Sequence, residues 1–120
     1  MIFLILIIFL ININLQTLVE IKSNNFGDTL YVGCDEFECY ETIQSAINDA
    51  KNGDTVFVYD DSSPYYENIV VNKSIILIGE NRGTTVIDGG GYGDVITVTK
   101  DQVNISQFTI QNGGTSCSGI

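Results

Sequence analysis

Beyond Gly53 the chain breaks into short β-branched and aliphatic runs, and no amphipathic helix follows. This feature constrains the fold most. The runs are 55–59, 68–71, 74–78, 85–87, 95–98 and 103–110. Several are continuously apolar instead of alternating. That is the signature of strands buried on both faces, as parallel strands usually are. The segments between them (79–83, 88–94, 99–102 and 112–114) are rich in Gly, Asn and Asp. Few resemble the two-residue turns that join antiparallel hairpins. Parallel strands need long crossovers, and an open α/β sheet makes them from helices. With none available, the chain is expected to wind as a solenoid, each strand pairing with the strand one coil away. The runs at Ser74 and Val103 lie 29 positions apart, within the span of repeat architectures. They are expected to be successive rungs of one sheet.

The one expected helix spans 42–52. Ile43, Ala46, Ile47 and Ala50 fall on one face. Thr42 is the expected N-cap, and Gly53 stands at the expected C′ position. A solenoid has an open end that must be covered, and a helix just before the first long strand suits that role. The fold class expected is therefore all-β, a right-handed parallel β-helix with a short N-terminal capping helix, incomplete at its C-terminus.

The start of the chain reads as a leader. Ile2 to Ile11 are ten consecutive apolar residues, interrupted afterwards by Asn12 and Asn14. Ten residues match a signal-peptide core and fall short of a membrane span, which needs about 20. The division expected is 1–23 as signal peptide or N-terminal anchor, and 24–120 as cap and first coils of a truncated β-helix. The protein is expected to be secreted or cell-surface, meeting a membrane only through the leader. Cys34 and Cys39 flank four residues and could close a local disulfide. Cys117 has no evident partner. Three Cys and no His argue against zinc.

The formal net charge is −10, with five basic residues. Phosphates and anionic lipid surfaces both require Lys and Arg, so nucleic acid is excluded as a partner. The acidic surface reads chiefly as solubilising. Ca²⁺ held by Asp60, Asp61 and Glu67 is the sharper alternative, though no calcium motif is present and no cofactor is expected.

An ordered series of motifs resembles the opening of pectin-lyase-like parallel β-helices. It comprises Thr42-Ile-Gln-Ser-Ala-Ile47, Gly53-Asp-Thr-Val-Phe-Val58, Tyr66-Glu-Asn-Ile-Val-Val71, Ile76-Leu-Ile-Gly-Glu80 and Thr85-Val-Ile-Asp-Gly89. The look is closest to β-helix repeat surface proteins, and pectin methylesterases open similarly. The resemblance covers residues 29–114. It implies a signal peptide, a capping helix and a three-sheeted core. It does not fix activity, because this fold carries enzymes and binding proteins alike.

The carboxylates Asp60, Asp61, Glu67, Asp88, Asp94 and Asp101 stand in no catalytic motif, and Arg82 is the only arginine. No catalytic residue is assigned. Tyr65 and Tyr66 could stack on sugar rings with Glu67 binding hydroxyls, against the plainer expectation that Tyr66 and Glu67 pack at a coil corner. Asp88 is expected to cap a turn. Asn104 and Asn112 could stack inside coils, where amides need partners. Asn72 and Asn104 begin glycosylation sequons. The expected function is a glycan-interacting protein without a complete catalytic site in this chain. The alternatives are the start of a pectinesterase, polysaccharide lyase or hydrolase, and a β-sandwich adhesin.

Overall fold

The computed structural model describes residues 27–115. All six strand ladders in it are parallel, which removes the hairpin-built sandwich. The first coil holds β1 (Thr29–Val32) and α1 (Ile43–Asp49). The second holds β2 (Thr55–Val58), β3 (Tyr65–Tyr66) and β4 (Ile69–Val71). The third holds β5 (Ile76–Gly79), β6 (Val86–Asp88) and β7 (Ile96–Val98), and β8 (Asn104–Ser106) and β9 (Thr109–Gln111) begin a fourth. Corresponding strands stack into sheet 1 (β1-β2-β5-β8), sheet 2 (β3-β6-β9) and sheet 3 (β4-β7). The molecule is a parallel β-solenoid of about three turns.

The interior is built by alternation. In β2 the side chains of Val56 and Val58 are buried, while Thr55 and Phe57 are only half so. Register aligns Leu30, Val56, Leu77 and Ile105 on successive rungs. Tyr65 with Ile87 and Ile69 with Ile96 supply matching pairs from the other two sheets. These aliphatic columns are what a period-two pattern produces when strands stack in register. Gly79 ends the inward row of β5. A Cβ there would stand 2.2 Å from the Gln107 carbonyl oxygen, so the passing coil requires glycine.

Three expectations shift. The rung partners are Ile76 and Asn104, 28 positions apart instead of 29. The pairing of segments is right, and the register moves by one residue, which matters because one step exchanges the faces. The run 103–110 is two strands, turned at Gln107, whose φ is 63°. A non-glycine residue in the left-handed region is uncommon, and nothing in the composition of the run marks it. The helix is shorter than 42–52. Thr42 is the N-cap as expected, accepting from the Ser45 N–H at 3.1 Å. The C-cap, however, is Ala50. Asp54 Oδ2 accepts the Lys51 N–H at 2.7 Å, and Oδ1 accepts the Asp28 N–H at 2.8 Å. That carboxylate draws the chain out of the helix three residues before Gly53.

A seven-residue helix is marginal by itself, and the second coil holds it at both ends. Glu67 accepts the N–H groups of Ile43 and Gln44 at 2.9 and 3.0 Å. Lys73 donates to the Asn48 carbonyl near the other end. Both charges complement the helix dipole. Gln44 in turn plugs the edge of β4. Its Oε1 accepts the Val70 N–H at 2.8 Å and its Nε2 donates to the Val70 carbonyl at 3.1 Å. Tyr40 does the same for β1, donating its N–H to the Tyr31 carbonyl and accepting from Gly33 N–H, both at 2.9 Å. The capping role expected of α1 is thus carried out by side-chain and backbone pairing against exposed strand edges.

Candidate ligand-binding face

The outer face of sheet 1 carries an aromatic ladder. Tyr31 and Phe57 occupy matched positions on β1 and β2, and Tyr59 follows two residues after Phe57 on the same side. Tyr31 and Tyr59 stack with centroids 6.0 Å apart and planes at 29°. Phe57 meets Tyr59 edge-on at 5.0 Å and Tyr31 at 6.1 Å. Such spacings are favourable for aromatic pairs. Tyr31 is 43% exposed, so its ring remains open to solvent.

A cleft of about 530 Å³ lies against this ladder. Tyr31 and Tyr59 line it with Cys34, Asp35, Glu36, Glu38, Cys39 and Asp61. Cys34 and Cys39 are disulfide-bonded, their Cα atoms 5.7 Å apart, within the usual range for such a bridge. The bridge and the Tyr40 pairing with β1 together fix the loop that forms one wall. The other wall is braced from beneath. Tyr65 is only 4% exposed, and its hydroxyl donates to the Tyr59 carbonyl at 2.6 Å. Burial, reinforced by the charges of Glu67, Asp61 and Asp60 and partly offset by a hydrogen bond with Ser62, pushes the Tyr65 phenol up to about 12. Ser62 Oγ also donates to the Gly33 carbonyl at 3.1 Å. Gly33 has φ 79°, and a Cβ there would run into the Tyr65 hydroxyl.

The Tyr65, Tyr66 and Glu67 trio does not share one surface. Tyr65 is a core residue behind the cleft, and the Glu67 carboxylate is engaged by the helix N-terminus. Tyr66, 73% exposed, is the member that faces solvent. Asp60, Asp61 and Glu67 do not gather. Asp60 Oδ2 accepts from the Thr84 hydroxyl, and no described residues form a group of three or more metal-binding side chains. Asp88 is buried and caps its turn as expected. It accepts from Gly90 N–H at 2.8 Å, Gln111 Nε2 at 2.9 Å and Asn112 Nδ2 at 2.8 Å. These donors, Gln111 first, hold its carboxyl below the usual carboxylate range. Neither Asn104 nor Asn112 lies inside a coil. Both are exposed, and Asn112 turns its amide onto Asp88. Asn72 is an exposed residue just after β4, whereas Asn104 begins β8. The expected leader and Cys117 lie outside the described residues, among which no helix is long and apolar enough to cross a membrane.

Reading the residues one at a time missed the ladder. Its intrastrand signal was there: Phe57 and Tyr59 alternate with Val56 and Val58. Tyr31 joins them only through coil register, which local pattern does not give. No protein family, curated protein or solved structure matches this chain.

Proposed function

We propose that this protein is an extracellular, non-catalytic β-helix that binds glycans on the outer face of sheet 1. The observation that carries the reading is the ladder of Tyr31, Phe57 and Tyr59 beside an open cleft. Flat aromatic rings present an apolar surface with a polar tip, which suits the C–H face of a sugar ring. The adjoining carboxylates are acceptors for hydroxyl groups. Export is supported by the apolar leader and by the Cys34–Cys39 bridge, a bond that persists in oxidising compartments. The motif series from Thr42 to Gly89 supports a place among the pectin-lyase-like β-helices.

A pectinesterase or polysaccharide lyase is the rival reading. Substrates of those enzymes are polyuronates. A cleft lined by Asp35, Glu36, Glu38 and Asp61, with no cation among the described residues that line it, repels a polyanion. The binding reading is therefore preferred. Glycan-array binding by the whole protein tests it. Retained glycan that is released unchanged, with binding lost in Tyr31→Ala, is the expected result. Appearance of cleaved or de-esterified sugar would overturn it.

A further inference from the structure

The cleft differs from an ordinary sugar platform in its charge. Among the described residues, four of the eight that line it are carboxylates and none is basic. Among the described residues these four carboxylates accept no side-chain hydrogen bond. The other acidic groups of this region do have partners: Asp60 takes the Thr84 hydroxyl, Glu80 the Asp60 N–H, and Glu67 the helix N-terminus. The cleft carboxylates are exposed and keep their charge turned to solvent, where a ligand can reach them. Two tyrosine rings back the same space, Tyr31 and Tyr59, stacked at 29°. The negative face of an aromatic ring attracts an ammonium group, so both walls of the cleft favour the same charge. A concave site lined by one sign also concentrates counter-charged ligands.

From this we infer that the glycan bound here is cationic: a chain of amino sugars with free ammonium groups, stacked on Tyr31 and Tyr59 and paired with Asp35, Glu36, Glu38 and Asp61. The inference rests on the glycan-binding reading above and adds its charge. Neutral and N-acetylated sugars would stack on the same rings without the ion pairs. A lysine-rich peptide would find the charges but would not need a flat aromatic wall.

Calorimetric titration of the whole protein with three oligosaccharides of equal length decides the matter: glucosamine, N-acetylglucosamine and galacturonate oligomers, with oligolysine as a fourth probe. The glucosamine oligomer is expected to bind about tenfold or more tighter than its N-acetylated counterpart, the scale of a few ion-pair and cation–π contacts. That preference should shrink as salt rises. It should vanish in the quadruple variant Asp35→Asn, Glu36→Gln, Glu38→Gln, Asp61→Asn. These four residues are exposed, so the variant should melt like the parent. Tyr31→Ala should weaken both amino-sugar and N-acetylated oligomers. Equal binding of the two would overturn the charge inference and leave glycan binding standing. No binding of any oligosaccharide would overturn both. Oligolysine binding as tightly as the glucosamine oligomer, unaffected by Tyr31→Ala, would replace the sugar with a peptide.

Discussion

Single residues carry much of the ordering between coils. Asp88 shows this best, because one buried carboxylate ties β6 to Gln111 and Asn112 a full coil later. Its hydrogen bonds favour the ionised form and lower its pKa in the folded state. The unfolded chain returns the group to its ordinary 3.8. The stability this linkage contributes is present above that value and is lost as pH falls through the depressed folded value. Melting temperature measured across the acid range should therefore drop more steeply for the parent than for Asp88→Asn, which has no charge to lose. Parallel curves would mean that the three donors do not act on Asp88 in solution. The turn-capping role of Asp88 was legible from Asp-Gly at a strand end. Its reach to Asn112 was not, because that contact exists only once the coil closes.

At the scale of elements, α1 depends on its sheet. Its apolar face is buried through Ile43, Ala46 and Ile47, but seven residues do not sustain a helix unaided. Glu67→Ala removes both acceptors from the first turn and should lower stability by about 1 kcal/mol, the usual cost of a lost N-terminal cap. Glu67→Gln, which keeps one acceptor oxygen, should recover part of it. Chemical denaturation of the three proteins checks the order. The existence of this helix was plain from the spacing of its apolar residues, and its N-cap was plain from Thr42. Its end was not, since Asp54 intercepts the backbone from beyond the helix. The strands behaved likewise. Their parallel sense follows from runs without hairpin turns or crossovers, but the two-residue strand β3 (Tyr65–Tyr66) lies in none of those runs and 103–110 divides into two. The corner at Gln107 and the one-residue register step follow from coil geometry, to which local pattern is blind. The aromatic face escaped for the same reason: Tyr31 and Phe57 are neighbours only across a rung.

For the molecule as a whole, stability is distributed coil by coil, each resting on its neighbours. The two ends of the described stack are unequal. Near α1, Val32, Ile43, Ile47 and Val56 are fully buried; at the other end Val98 and Ile110 are 47% and 50% exposed. Amide hydrogen exchange should follow that gradient, with the slowest amides in β2 and β5 and the fastest in β8 and β9. Uniform protection along all four rungs of sheet 1 would contradict it. Leu77→Ala, in the central column, should cost about 2–5 kcal/mol, as other buried leucines do.

Gln44 gives the stack a direction. By presenting an amide oxygen and an amide nitrogen to Val70, its side chain counterfeits a peptide unit, so β4 is answered before any foreign strand arrives. A filament of such molecules would need a vacant receptor at both termini of every subunit. Where one terminus is already occupied by the protein's own amide, edge-to-edge recruitment in sheet 3 cannot propagate.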